Sequence, residues 1–228
     1  MTPTQANEQL GLPKPTIHRL FATLEKEGFL QRDIDGRSYS FGARSRKLST
    51  GVLSSLRIRT ARLAILRELS AKIGETCNIA LPGRDAMVYL ERVETEWPLR
   101  IQLPIGTEVP FYCTASGKMY LSTLPKKHLL HYANSEKLTR HTENTITDPA
   151  ALADEIESVA QQGYALDRQE FMTDMIALAV PILETNGGLV STLSFHAPKL
   201  RFNVEDALSH LPALQEASRA LTALISND

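Results

Sequence analysis

Across residues 11–24, GLPKPTIHRLFATL, the apolar residues Ile17, Leu20, Phe21 and Leu24 recur at i, i+3, i+4 and i+7. That period predicts an amphipathic helix. Its other side carries Pro15, Thr16, Arg19, Ala22, Thr23 and Lys26, which are small, polar or basic, and acids arrive only at Glu25 and Glu27. Pro13 and Pro15 suit a helix start, where a missing N–H costs nothing. Gly11 suits a tight turn, and Thr4–Leu10 reads as a preceding helix with Thr2 or Thr4 as N-cap. Gly28 predicts a C-cap. The pattern then shortens into two β-rich runs, Phe29–Arg32 and Arg37–Phe41, around Asp33-Ile34-Asp35-Gly36, which predicts a hairpin. A helix-turn-helix followed at once by a hairpin is a winged helix.

Further along, Leu56–Leu69 is strongly helical, with Ile58, Ala61, Leu63, Ile65, Leu66 and Leu69 as a broad apolar face, and Gly74 ends that helix. Thr76–Leu81 and Ala86–Arg92 read as a hairpin around Pro82-Gly83-Arg84-Asp85, and Leu99–Leu103 as a third strand after a turn at Trp97-Pro98. Ser116–Thr123 and Pro125–His131 read as helical, 132–148 as irregular, and Pro149–Gln162 as an amphipathic helix ending at Gly163. Tyr164–Arg168, Ile176–Leu183 and Leu189–Phe195 read as strands, the last two joined by Thr185-Asn186-Gly187-Gly188. Asn203 caps a long final helix to about Ile225, with Pro212 as a kink point. Strands joined by hairpins and flanked by helices predict an α+β domain with an antiparallel sheet. The pattern divides the chain into a winged helix-turn-helix over 1–42, a linker over 43–55 and a larger domain over 56–228. Winged helices normally carry one more helix ahead of this pair. Here the expectation is that this first helix is missing, leaving the first domain loosely packed or completed by a partner.

Charge sharpens the picture. Residues 1–62 hold eleven Lys and Arg against five Asp and Glu, a net of +6, while the remainder nets −7. A basic module on an acidic body suggests nucleic acid at one end only. A small, donor-rich helix face can approach base edges and phosphates. The candidate DNA contacts are Lys14, Pro15, Thr16, Arg19, Thr23 and Lys26, with Arg32 and Arg37 on or beside the wing. His18 sits on the helix flank, with DNA contact and simple packing both open. The alternative for the whole stretch is an ordinary surface helix. The sequence holds no run of about 18 uncharged apolar residues and no signal-like start, which predicts a cytoplasmic protein without a membrane span. Cys77 and Cys113 lack metal-ligand spacing and read as reduced thiols. His128 and His131 stand at i, i+3 with no third ligand beside them. No cofactor or metal is expected.

Several separated segments, in order, resemble the IclR family of bacterial transcription regulators. GLPKPTIHRLFATLEKEGFL and GRSYSFG resemble its winged helix, TEVPFYCTASGKMYLSTLP its small-residue turn and helix, and QGYALDRQEF, LAVPI and LSFHAP its later segments. The resemblance implies a GAF-like effector domain that binds a small organic acid, aromatic acids included. It assigns the cavity to Ala115, Ser116, Asp167, Met175, Ala177, Ser194 and His196, with Ile101 as a further apolar wall. Two positions depart from the family's pattern. Ala177 stands where a cysteine is frequent, and His196 where a small polar residue is common. Both change the volume and charge offered to a ligand. From the residues themselves, Thr114-Ala115-Ser116-Gly117 is either a carboxylate seat or a plain helix cap. Lys118 reads as a solvated helix lysine.

The leading expectation is a ligand-responsive regulator that binds operator DNA as a homodimer or tetramer. One alternative is a sensor without DNA binding. Another is a hydrolase using Cys113 with His196, or Ser116 with Lys118.

Overall fold

The computed structural model describes residues 1–33, 36–53, 56–98, 100–135, 138–184 and 187–226. Ile34 and Asp35 of the wing loop, Ser54 and Ser55 of the expected linker, Leu99, Thr185 and Asn186 lie outside these, as does the side chain of Ile58. The chain forms two compact units, Met1–Leu56 and Arg57–Asp228.

In the first unit, α1 (Pro3–Leu10) and α2 (Lys14–Lys26) make the helix-turn-helix. Thr2 caps α1 in a capping box with Gln5. Gly11 takes the turn at φ 61°, a left-handed conformation that favours glycine. Asn7 closes the turn from inside: its amide donates to the Leu12 carbonyl at 2.8 Å and its oxygen accepts from the Leu12 N–H at 2.9 Å. The wing strands β1 (Leu30–Arg32) and β2 (Tyr39–Phe41) pair antiparallel. The core here is Ile17, Phe21 and Tyr39, with Phe21 and Tyr39 edge to face at 5.0 Å. The predicted apolar stripe is split. Ile17 and Phe21 are buried, but Leu20 and Leu24 are exposed by 43% and 38%, because α1 and the wing cover only one side of α2.

Helix α2 ends at Lys26 with Glu27 rather than Gly28 as its C-cap, and Gly28 is the left-handed residue after it. The segment expected as a linker is helical over Ala43–Leu53 (α3). Its start is fixed to the wing, with Arg44 N–H on the Gly28 carbonyl at 2.9 Å and Ser45 Oγ on the Phe29 carbonyl at 2.6 Å.

The second unit opens with α4 (Leu56–Ile73) and is built on a six-stranded antiparallel sheet in the order β5-β4-β3-β8-β7-β6. The strands are β3 (Thr76–Pro82), β4 (Ala86–Val93), β5 (Glu108–Pro110), β6 (Ala165–Arg168), β7 (Met175–Leu183) and β8 (Leu189–Pro198). The architecture is α+β, as expected. The strand after β4 differs from expectation. No strand covers 100–103. The Ile101 carbonyl is taken by the Arg92 guanidinium, and the edge pairing with β4 is made by Glu108–Pro110 instead.

Strand alternation sorts the sheet into two faces. Cys77, Ile79, Leu193, Phe195, Ile176, Leu178, Val180 and Ile182 point to one face. They pack there on Leu66, Leu69 and Ile73 of α4, on α8 (Val204–Ser209) and on Leu214 and Leu221 of α9 (Leu211–Ser226). The other face is covered by α5 (Ala115–Leu121), α6 (Lys126–Ser135) and α7 (Pro149–Gln162). The expected single last helix is broken at His210. Pro212 has no N–H for the turn before it, so α8 ends and α9 begins there. Residues 132–135, expected to be irregular, finish α6.

The unit boundary also relocates charge. Arg57, Arg59 and Arg62 belong to the second unit, so the nets by unit are +3 and −4. Arg62 is buried against Glu91 at 3.0 Å, and Arg59 reaches the same carboxylate oxygen at 3.5 Å.

Candidate functional site

On α2, Lys14, Pro15, His18, Arg19, Thr23 and Lys26 are exposed and Thr16 is half-buried. They form the polar side opposite Ile17 and Phe21. The Thr23 hydroxyl donates to the Arg19 carbonyl at 2.9 Å and is committed to its own helix. In the wing, Arg37 is exposed. Arg32 is exposed too, but its guanidinium is tied to Tyr39 Oη at 2.6 Å and Glu25 Oε2 at 3.3 Å. That arginine braces the wing against α2.

The second candidate site lies on the helix-covered face that α5 shares with the sheet. Ser194 and His196 alternate along β8, Met175 and Ala177 along β7, and Ala177 sits directly across from His196. Asp167 on β6 pairs with Ala177 from the other side. The start of α5 meets these strands because Gly117 packs against the Phe111 backbone; a Cβ there would fall 2.3 Å from the Phe111 carbonyl oxygen. The resulting cavity is lined by Tyr89, Thr114, Ala115, Ser116, Asp167, Phe171, Met175, Ala177, Ser194 and His196. Seven of the eight positions expected for a ligand site therefore share one cavity. Ile101 is not in its lining; it is half-buried and offers its carbonyl to Arg92. A larger open groove of about 620 Å³ runs past Arg67, Ser70, Thr95 and Trp97. Its hydroxyls are already spent, Ser70 on the Glu75 carbonyl and Thr95 on the Gly74 carbonyl, both at 2.8 Å.

Polar groups in the closed cavity are positioned from behind. Ser116 Oγ donates to Ser194 Oγ at 3.2 Å. Asn78 on β3 donates to His196 Nδ1 at 3.2 Å, and its own oxygen accepts from Arg92 at 3.0 Å. This places the ring proton of His196 on Nε2, which makes no hydrogen bond of ordinary length among the described residues, although the Ile101 carbonyl acts on the ring. Burial, and then the Arg92 charge, push the His196 pKa down to about 4, so the ring is neutral. Asp167 Oδ1 accepts from the Glu170 N–H at 2.7 Å and the Phe171 N–H at 3.4 Å, while Oδ2 is unpartnered among the described residues. Burial and the nearby Glu170 carboxylate push its pKa up to about 7. Gln169 in that turn adopts φ 63°, strained for a residue with a side chain.

Lys118 contradicts the solvated reading. It is fully buried, with Nζ on Glu155 Oε1 at 2.7 Å and Glu170 Oε1 at 2.6 Å. The expected seat of backbone N–H groups is also partly consumed, since the Gly117 N–H donates to Thr114 Oγ1 at 3.1 Å. Neither nucleophilic pair is assembled. Burial raises the Cys113 thiol far above its ordinary value, Ser116 is bonded to Ser194, and Lys118 is bonded to carboxylates. Cys77 and Cys113 are both free and buried. Among the described residues no three His, Cys, Asp or Glu groups stand together as metal ligands.

Residues 50–223 match the family described as the bacterial transcriptional regulator IclR C-terminal domain, and residues 1–33 match the IclR helix-turn-helix domain. The chain belongs to the IclR family. Among curated proteins it is similar to the probable transcriptional regulator SauR of Cupriavidus necator, 36% identical over 92% of this chain and 84% of that one. Its structure is similar to that of the Thermotoga maritima IclR, with a TM-score of 0.70 at 28% identity, covering 98% of this chain and 90% of that one. Another similar structure is a double mutant of the PobR inducer-binding domain from Acinetobacter in complex with 3-hydroxybenzoic acid. That match has a TM-score of 0.65 at 25% identity and covers 70% of this chain and 94% of that one. The chain is thus an IclR-family transcriptional regulator with a DNA-binding helix-turn-helix and an effector-binding domain. No described helix is long and apolar enough to cross a membrane.

Sequence reasoning left out part of this site. Tyr89 and Phe171 line the cavity, Asn78 and Arg92 orient His196, and Glu155 and Glu170 hold Lys118. The polar Asn78 inside the apolar run of β3 was a signal that could have been read.

Proposed function

We propose that this regulator senses a small organic acid in the cavity of its second unit and binds operator DNA through α2 and the wing, in the cytoplasm, as a homodimer or tetramer. The observation that carries the reading is the convergence of Ser116, Asp167, Ser194 and His196 on one cavity, with two of their buried polar atoms unpartnered among the described residues. Unpartnered buried groups each cost about 1–3 kcal/mol and are recovered when a ligand supplies the partner. Lys14, Pro15, Thr16, His18, Arg19, Thr23, Lys26 and Arg37 are the proposed DNA contacts, and Arg32 supports them by holding the wing.

The cavity itself constrains the effector. At about 10 Å³ it has room for one water molecule, whereas an empty cavity of about 150 Å³ is of the kind that takes a benzene ring. An aromatic acid therefore enters only if Phe171 and Met175 swing aside, while a short aliphatic acid needs less movement. A thermal-shift panel of short aliphatic acids and hydroxybenzoates tests this, followed by operator gel shifts with each acid that binds. The expected result is stabilisation by at least one acid and a change in operator affinity with the same acid. Stabilisation that survives Ser116→Trp places the ligand elsewhere and overturns the cavity assignment. The hydrolase alternative has no activated nucleophile to support it, and turnover in an esterase panel is the result that would revive it.

A further inference from the structure

Resting on the acid-binding reading above, we propose that the cavity takes up its carboxylic acid together with one proton held on Asp167 Oδ2. Asp167 then meets the ligand as a neutral hydrogen-bond donor.

The cations near the cavity are already committed, and Arg92 of β4, whose charge reaches His196, is bonded to Asn78, Glu94 and the Ile101 carbonyl. Asp167 is fully buried on β6 and lines the cavity, with Oδ1 committed to the Glu170 and Phe171 amides and Oδ2 without a partner among the described residues. Lys118 of α5 is the buried cation nearby, and both of its short contacts go to Glu155 of α7 and Glu170. Arg168, next to Asp167, sits largely outside and reaches Glu155 at 3.4 Å. The other titratable groups around Asp167 are neutral. Tyr89 on β4 is pushed up to about 12 by burial, the Cys113 thiol ahead of α5 is also raised by burial, and His196 on β8 carries no charge. Strand β7 contributes Met175 and Ala177, which do not titrate.

Three carboxyl groups, Asp167, Glu170 and Glu155, thus surround two committed cations. A ligand carboxylate beside Asp167 would be a fourth anion. Two carboxyl groups sharing one buried site retain a proton between them. Asp167 is the member prepared to hold it, since burial and Glu170 already favour its acid form. The balance is simple. A proton from solvent bonds to Asp167 Oδ2, which donates to an oxygen of the ligand carboxylate, and no covalent bond breaks. His196 Nε2–H, fixed by Asn78, supplies a second neutral donor. The ligand class this selects is a monoanionic acid whose charge is met by donors and a proton rather than by an arginine or lysine.

Isothermal titration of the intact protein with propionate and with 3-hydroxybenzoate, at pH 8 in buffers of different ionisation enthalpy, counts the protons. Close to one proton taken up per acid is expected, with affinity falling about tenfold per pH unit above pH 8. Asp167→Asn keeps an oxygen for the two amides and needs no proton. It should take up none, lose the pH dependence, and bind up to about thirtyfold more tightly than wild type at pH 8.5. Wild-type binding without proton uptake overturns the proposal and leaves the acid site standing. Uptake that persists in Asp167→Asn moves the proton to another group and also overturns it. If neither acid binds at millimolar concentration, the acid-binding reading falls and this inference falls with it.

Discussion

His196 and Asp167 share a cavity, yet burial drives them in opposite directions, and stability should record both. His196 has a folded pKa near 4, below its ordinary 6.5. The stability it contributes is in place above pH 6.5 and is lost as pH falls through that window towards 4. Asp167 has a folded pKa near 7, above its ordinary 3.8. Its contribution is in place below about pH 4 and is lost as pH rises to 7. Melting curves from pH 4 to 8 should therefore show His196→Ser gaining on wild type at the acid end, and Asp167→Asn gaining most above pH 7. Parallel curves for all three proteins would remove both assignments. Lys118→Met should cost about 3–5 kcal/mol, because it leaves Glu170 buried without its cation. A drop in urea midpoint corresponding to less than 1 kcal/mol would contradict that. These residues also mark how far the sequence could be read. The alternation of Ser194 with His196 and of Met175 with Ala177 was visible in the strand pattern. The burial of Lys118 was not, since its partners lie 37 and 52 residues away. A helix position alone does not reveal which distant element covers it.

Among the elements, the helix-turn-helix and wing were legible because each is local: a 3.6-residue period, a glycine turn and a short hairpin specify themselves. What escaped was set by tertiary partners. Residues 100–103 lost their strand to the Arg92 side chain, and α3 formed where the sequence suggested only a connector. The wing carries the clearest separation of roles. Arg19→Ala should weaken operator binding at least severalfold with an unchanged melting temperature, since Arg19 is exposed on α2. Arg32→Ala should lower the melting temperature of the first unit, because it releases Tyr39 and Glu25 together. Arg37→Ala should weaken binding to all sequences alike and reduce the salt slope by about one. Unaltered affinity for Arg19→Ala, Lys26→Ala and Arg37→Ala would exclude α2 and the wing as the reader.

At the scale of the whole molecule, the basic surplus belongs to residues 1–56 and the acidic surplus to the rest. Arg59 and Arg62 of α4, which the sequence counts with the basic first quarter of the chain, are engaged with Glu91. The second unit tested without the first should therefore show no operator binding even at low salt. A single reading head buries little surface, and paired half-sites are the usual remedy. Sedimentation at micromolar concentration should show a species of at least twice 25.3 kDa, and a purely monomeric profile would count against this. The ladder between β3 and β8 has a consequence for synthesis. β8 is the inner partner of β3, yet more than a hundred residues separate Thr76 from its partner His196. As the chain leaves the ribosome, β3 and β4 must wait as a bare hairpin, with the apolar side of Cys77 and Ile79 open, until β8 emerges. The first unit closes on local contacts and is ready long before. For that interval the sensor is still unformed, and its central strand is the place where a chaperone is most needed.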